Sequence, residues 1–250
     1  MSHSSDDAWS FLRRATAARI ALGRTGDSLP TKRVLEFAMA HAEAQDAVHE
    51  PLDMEALARE LAKFTPVNVS SRAVSRQEYL QRPDLGRVLA AQSQRALTRG
   101  AYEISIVAAD GLSARATASH APALVHALQP YLSDLRLAPL VIARQARVAL
   151  GDEVADAQGA SLVIMLIGER PGLSSADSLG AYLTYAPRPG VTRDAERNCV
   201  SNIRPNGLPI EDAARLIASL VRLALARKRT GVALKQDEAL ALMAPRPPDQ

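Results

Sequence analysis

The sequence predicts an α/β fold, a Rossmann-like parallel sheet with an N-terminal helical region, and three observations carry that expectation. After Gly100, the apolar runs "YEISIVAAD", "LAPLVIAR" and "SLVIMLIGE" alternate with the helical segments "ARATASHAPALVHALQPYL" and "QARVALGDEVADAQG". Alternation of strand and helix is the pattern of a parallel sheet with helices on its faces. Leu162 to Ile167 is an unbroken apolar run, as a strand buried on both sides requires. Before Gly100 the apolar residues recur at helical spacing, so the first hundred residues read as helices.

Taken in order, "DDAWSFLRRATAARIAL" opens with acidic residues and predicts a first helix, and "GRTGDSLPT" supplies a turn. A second helix begins near Thr31 and runs through "VLEFAMAHAEAQDAVH", with Leu35, Met39 and Ala42 on one face. Asp53 starts a third. Ser75 followed by Glu78 fits a capping box, and Asp84 is placed to cap a helix over "LGRVLAAQSQRAL". Beyond the three central strands, "GAYLTYAP" and "NCVSNI" offer further strands. A long amphipathic helix from about Pro209 to Arg229 covers one face. The domain reading is therefore a helical, partner-contacting region over 1–99, a Rossmann-like domain over 100–242, and a disordered tail over 243–250 that contains "PRPPDQ".

Composition excludes several functions. The chain has 250 residues, enough for a sizeable core, and a formal charge of only +3, its basic residues scattered through amphipathic helices. Nucleic acid is not indicated. No apolar run reaches the roughly 18 residues of a membrane span, and "MSHSSDDAWS" has no signal-peptide pattern, so a cytoplasmic protein is expected. Cys199 is the only cysteine, which rules out an intrachain disulfide or a thiolate cluster.

In a parallel α/β sheet, ligands bind outside the carboxyl ends of the strands. The loops at those ends are Asp110-Gly111-Leu112-Ser113, Arg144-Gln145-Ala146-Arg147 and Gly168-Glu169-Arg170-Pro171-Gly172. Any one of them fits a solvated turn; three polar loops together indicate a site. Asp110, Ser113, Arg147 and Ser174 are candidates on loop position alone. Familiar chemistries find little support. "ADSLG" falls one residue short of a nucleophile elbow, no strand directly precedes Ser178, and no histidine follows His126. Neither G-x-G-x-x-G after a strand nor a P-loop occurs. His41 and His49, near Glu43 and Asp46, allow a metal on paper but more commonly read as solvated or capping residues, and there is no H-E-x-x-H.

The segments "WSFLRRATAARIALGRTGDSLPT", "HAEAQDAVH", "YLQRPDLGR", "ADGLSA", "LAPLVIARQARVALGDE", "IGERPGLSSADSLGAYLTYAPRPG" and "RNCVSNIRPNGL" resemble the signature segments of the small subunit of ethanolamine ammonia-lyase. The likeness runs from Trp9 to about Lys235. It implies an adenosylcobalamin-dependent lyase that converts ethanolamine to acetaldehyde and ammonia, built as a hexamer of heterodimers. A TIM-barrel large subunit holds the substrate and the radical chemistry; the small subunit covers the other side of the corrin. No catalytic residue is expected on this chain.

The same resemblance places cofactor contacts at Val148 in "RQARVALGD", Glu169 in "IGERPG" and Cys199 in "RNCVSN". Val148 would supply apolar surface or backbone, Glu169 would accept hydrogen bonds from corrin amides, and Cys199 would pack a small soft side chain near the ligand. Without the resemblance, the residues favour a core valine at 148 and a buried inert thiol at 199, and Glu169 fits a surface pair with Arg170. A D-x-H-x-x-G motif is absent, so the resemblance implies a cofactor that keeps its own base on cobalt. About eight residues precede Trp9, fewer than in enteric family members, which leaves enclosure in a bacterial microcompartment open. The competing reading is a Rossmann-like adaptor that binds a protein partner and no cofactor.

Overall fold

The computed structural model describes residues 18–234, together with Trp9, Phe11, Leu12 and Thr16. Its centre is a six-stranded sheet. The strands are β1 (Val67–Ser70), β2 (Ile104–Ala109), β3 (Val141–Arg144), β4 (Leu162–Gly168), β5 (Leu179–Tyr185) and β6 (Asn198–Ile203), in the order β1-β3-β2-β4-β5-β6. The first four are mutually parallel, while β5 runs antiparallel to β4 and β6 antiparallel to β5. The sheet is thus mixed, and the expectation of a parallel sheet holds for its first four strands. The reason is connection length. Parallel neighbours need a long crossover, but only the loop 169–178 separates β4 from β5, and so short a link returns the chain beside itself.

Every residue of β2 and β4 is buried. Side-chain alternation then sorts them between two cores. Ile104, Ile106, Ala108, Ile164 and Leu166 face one side, and Val107, Ala109, Val163, Met165 and Ile167 face the other. The first core is closed by α5 (Ala114–Leu128) and α7 (Ile210–Arg227), and the second by α6 (Leu150–Gln158). Because β2 leads into α5 on one face and β3 leads into α6 on the other, the chain parts between these adjacent strands. The crevice that opens there, at the carboxyl ends, is the topological switch point of a doubly wound sheet.

The N-terminal part holds α1 (Thr31–His49), α2 (Met54–Glu60), α3 (Arg76–Gln81) and α4 (Ala91–Ala96). Reading this region as helical missed β1, which pairs with β3 from Val67↔Val141 to Ser70↔Arg144 and ties the region into the sheet. Of the first predicted helix, over 6–22, about half lies outside the described residues; Phe11 and Leu12 are helical, while residues 18–22 are not. Ser75 caps α3 by accepting from Glu78 N at 3.1 Å, but Glu78 returns its carboxylate to Val74 N at 2.7 Å, one residue short of a full capping box. Asp84 caps nothing: a 3-10 turn at Leu85–Arg87 is broken by extended Val88 before α4 begins. The tail over 243–250 lies outside the described residues.

α1 gives little of its surface to the core. Only Ala40 and Ala47 of it are buried, whereas Leu35 and Met39 are 64% and 67% exposed. The face that carries Leu35 and Met39 is turned to solvent, with Val34 and Phe37 also open.

Candidate functional site

The three loops predicted to form a site meet at the carboxyl edge of the sheet. Their approach is close enough to demand glycine twice. A Cβ on Gly111 would stand 2.2 Å from the Gly168 carbonyl oxygen, and one on Gly168 would stand 2.0 Å from the Ser113 oxygen. Leu112 N donates to Gly168 O at 2.9 Å, so the first and third loops are joined through backbone. Ser113 is buried and committed to this frame: its hydroxyl accepts from Ala116 N at the start of α5 (3.2 Å) and donates to Ala176 O (2.8 Å).

Asp110 closes the switch-point crevice. It is buried, and its carboxylate accepts from Gln145 N at 2.7 Å and Ala146 N at 3.0 Å, with Arg76 Nη1 at 3.3 Å. Burial pushes its carboxyl above the ordinary range, opposed by these donors. The two amides belong to the β3–α6 loop, where Gln145 takes a left-handed φ of 56°. Such a conformation is costly for a residue with a side chain, and the Asp110 bonds hold it in place. Tyr79, wholly buried on α3, donates its hydroxyl to Ala146 O at 2.9 Å. Burial and the Asp110 carboxylate push that phenol well above its usual range, which keeps it a donor. The guanidinium groups of Arg76 and Arg147 flank the ring at 4.9 and 4.5 Å from its centre.

This frame shapes a cleft of about 420 Å³ whose walls include Tyr79, Leu112, Arg147, Val148, Glu169 and Tyr182. Val148 and Glu169, predicted from the sequence, are therefore brought together. Glu169 is half-buried at the end of β4. One carboxylate oxygen, Oε2, accepts from the Ser178 hydroxyl and from Asn202 N at 3.3 Å. Oε1 has no hydrogen-bond partner among the described residues, and no ion pair there joins Glu169 to Arg170. The surface charge pair allowed by the sequence is thus not the arrangement found. Ser178 donates to Glu169 and so helps to hold its carboxylate.

Cys199 lies beside the cleft instead of in its wall. It pairs in register with Tyr182 and is exposed, not buried as one sequence reading allowed. Protein crowding around the sulfur, then the Glu169 carboxylate, push the thiol upward, opposed by the neighbouring Tyr182 hydroxyl. Ser174 stands apart: its hydroxyl accepts from Arg19 Nη1 at 3.3 Å and its carbonyl from Arg204 Nη1 at 3.1 Å.

Sequence reasoning missed Tyr79, Arg76 and Tyr182. A lone aromatic in the mostly polar helix "RQEYLQ" was the available signal for the first. Among the described residues no group of three or more His, Cys, Asp or Glu is placed to hold a metal, and no helix is long and apolar enough to cross a membrane.

Comparison with known proteins agrees with this picture. The family model described as ethanolamine ammonia-lyase light chain matches residues 6–235. A protein named ethanolamine ammonia-lyase small subunit from Rhodococcus erythropolis is 54% identical, covering 92% of this chain and 90% of the relative. One of the same name from Bradyrhizobium diazoefficiens is 52% identical over 91% of this chain and 90% of its own length. Another, from Pseudomonas fluorescens strain SBW25, is 44% identical over 98% of this chain and 91% of its own length. With a family match across nearly the whole chain and relatives at this identity, the chain belongs to the ethanolamine ammonia-lyase light chain family.

Proposed function

We infer that this chain, as the small subunit of an ethanolamine ammonia-lyase, seats adenosylcobalamin in the cleft at the carboxyl edge of its sheet and presents it to the large subunit. The observation that carries the reading is the convergence of Val148 and Glu169 on one cleft, with Cys199 paired to the cleft residue Tyr182. A corrin is apolar on its faces and fringed with amides, so its seat needs apolar wall beside donors and acceptors. Val148, Leu112 and Ile167 supply apolar wall. The free Oε1 of Glu169 is an acceptor for amide N–H, and the Arg147 guanidinium, which lines the cleft, brings forked donors to its wall. The cleft is small for a whole corrinoid, so it holds an edge of the ring, and the remainder lies against the large subunit. When bound, the cofactor supplies the radical chemistry that carries ethanolamine to acetaldehyde and ammonia. This chain's own residues bind and orient it.

The exposed apolar face of α1 supports a second part of the reading: Val34, Leu35, Phe37 and Met39 dock on the large subunit within a hexamer of heterodimers. The test is co-expression of both chains and measurement of cobalamin absorbance retained after gel filtration. The complex retains about one cofactor per heterodimer, and this chain alone forms no acetaldehyde. A complex that assembles but retains no cobalamin would favour the adaptor reading.

A further inference from the structure

Beside the corrin cleft, and sharing Arg147 and Val148 with it, lies a larger groove of about 690 Å³. Its charge is lopsided. Arg87, Arg147, Arg193 and Arg197 line it, against Asp194 alone. Arg197 is already neutralised from below by Asp152, through bonds of 2.7 Å to each carboxylate oxygen, and Asp194 reaches Arg197 Nε at 3.6 Å. Four guanidinium groups thus meet two carboxylates. Arg87, Arg147 and Arg193 have no ion pair among the described residues. Arg147 is held in place by Tyr79, yet its Nε is buried and unpartnered. At the same wall the chain enters α6, a nine-residue helix, and the amides of Val148 and Ala149 at its open end have no acceptor among the described residues. Forked donors, spare positive charge and the positive end of a helix together suit a phosphate oxygen cluster.

We propose that this arginine groove is a phosphate-binding subsite, and that its ligand is the phosphodiester of the cofactor's nucleotide tail. The assignment rests on the cobalamin reading above. It follows from continuity: a corrinoid whose ring edge lies over Val148 and Glu169 has its tail within reach of the neighbouring groove, and Arg147 borders both. A free phosphate or phosphate monoester would satisfy the same donors, so the two sources must be separated by experiment.

Arg87 and Arg193 are exposed and support no other described side chain, so the double variant Arg87→Gln with Arg193→Gln leaves the fold intact. Absorbance titrations of the two-chain complex compare adenosylcobalamin with adenosylcobinamide, which keeps the corrin but lacks phosphodiester and base. The expected result is a loss of tenfold or more in cobalamin affinity with cobinamide affinity within twofold of the parent. Inorganic phosphate should compete with cobalamin in the parent and much less in the variant. Unchanged cobalamin affinity in the variant overturns the subsite, as does an equal loss for both corrinoids. Phosphate that binds the groove without competing with cobalamin overturns the tail as its ligand. A parent complex that binds neither corrinoid removes the cobalamin reading itself, and this proposal with it.

Discussion

Replacing Glu169 by glutamine separates a cofactor role from a structural one. In the folded chain Oε2 accepts from the Ser178 hydroxyl and Asn202 N, while Oε1 has no hydrogen-bond partner among the described residues. The amide oxygen of the introduced glutamine can take over both bonds of Oε2. That leaves an NH2 group where Oε1 stood, so an acceptor becomes a donor on the side where corrin amides would approach. A hydrogen bond to a charged acceptor is worth about 1.5–3 kcal/mol, which converts to a roughly ten- to hundredfold loss of affinity. The fold loses only the charge from two bonds that persist, so the melting temperature should move by no more than about 4 °C. Absorbance titration of the two-chain complex with adenosylcobalamin, beside a thermal melt, reads both quantities. Equal cofactor affinity in Glu169→Gln and parent complexes would refute the assignment. So would a fall in affinity matched by a large loss of stability, because Glu169 would then be a brace.

Three further outcomes follow from other parts of the molecule. Cys199 is exposed, but its thiol is pushed upward by crowding and by Glu169; a raised value means that thiolate appears only at higher pH. Alkylation by iodoacetamide should therefore reach half its maximal rate above the ordinary value of about 8.5, and Glu169→Gln should lower that midpoint; a midpoint below the ordinary value contradicts the geometry. Asp152→Asn leaves the Arg197 charge, 3% exposed, without its buried partner and with only the exposed Asp194, 3.6 Å away, as a counter-charge. The loss should be about 3–5 kcal/mol, or roughly 10 °C in melting temperature, and a shift under about 2 °C would mean that solvent screens the pair. Leu35→Asp with Met39→Asp should abolish co-purification with the large subunit while leaving the isolated chain's melt unchanged, because both side chains are mostly exposed; undiminished co-purification would remove α1 from the interface.

Much of the fold was legible because its central strands are buried on both faces. Leu162–Ile167 had to be apolar throughout, and so it stood out. β1 did not, for the opposite reason. It is a four-residue edge strand with Asn68 exposed and only Val69 buried, and so short and half-polar a stretch is hard to separate from a loop. The direction of β5 was hidden as well, because a strand's residues record which face is buried and not which way the chain runs. Of the site, the loops were legible from their position after the strands, and Val148 and Glu169 from family segments. Tyr79 and Arg76 were not, since they come from α3 and reach the Asp110 loop only through the tertiary fold. Cys199 is not the buried thiol that a lone cysteine suggests by itself: it sits on the open face of the last strand of the sheet.

The central claim is that cobalamin lies against this chain at the carboxyl edge of its sheet. Hydrogen exchange of the two-chain complex, with and without adenosylcobalamin, tests it most directly, because amides throughout both chains are read at once. The account predicts slower exchange on binding at residues 145–149 and 168–172, with smaller changes around 198–202. Protection confined to the large subunit, with these segments of this chain unchanged, would contradict it.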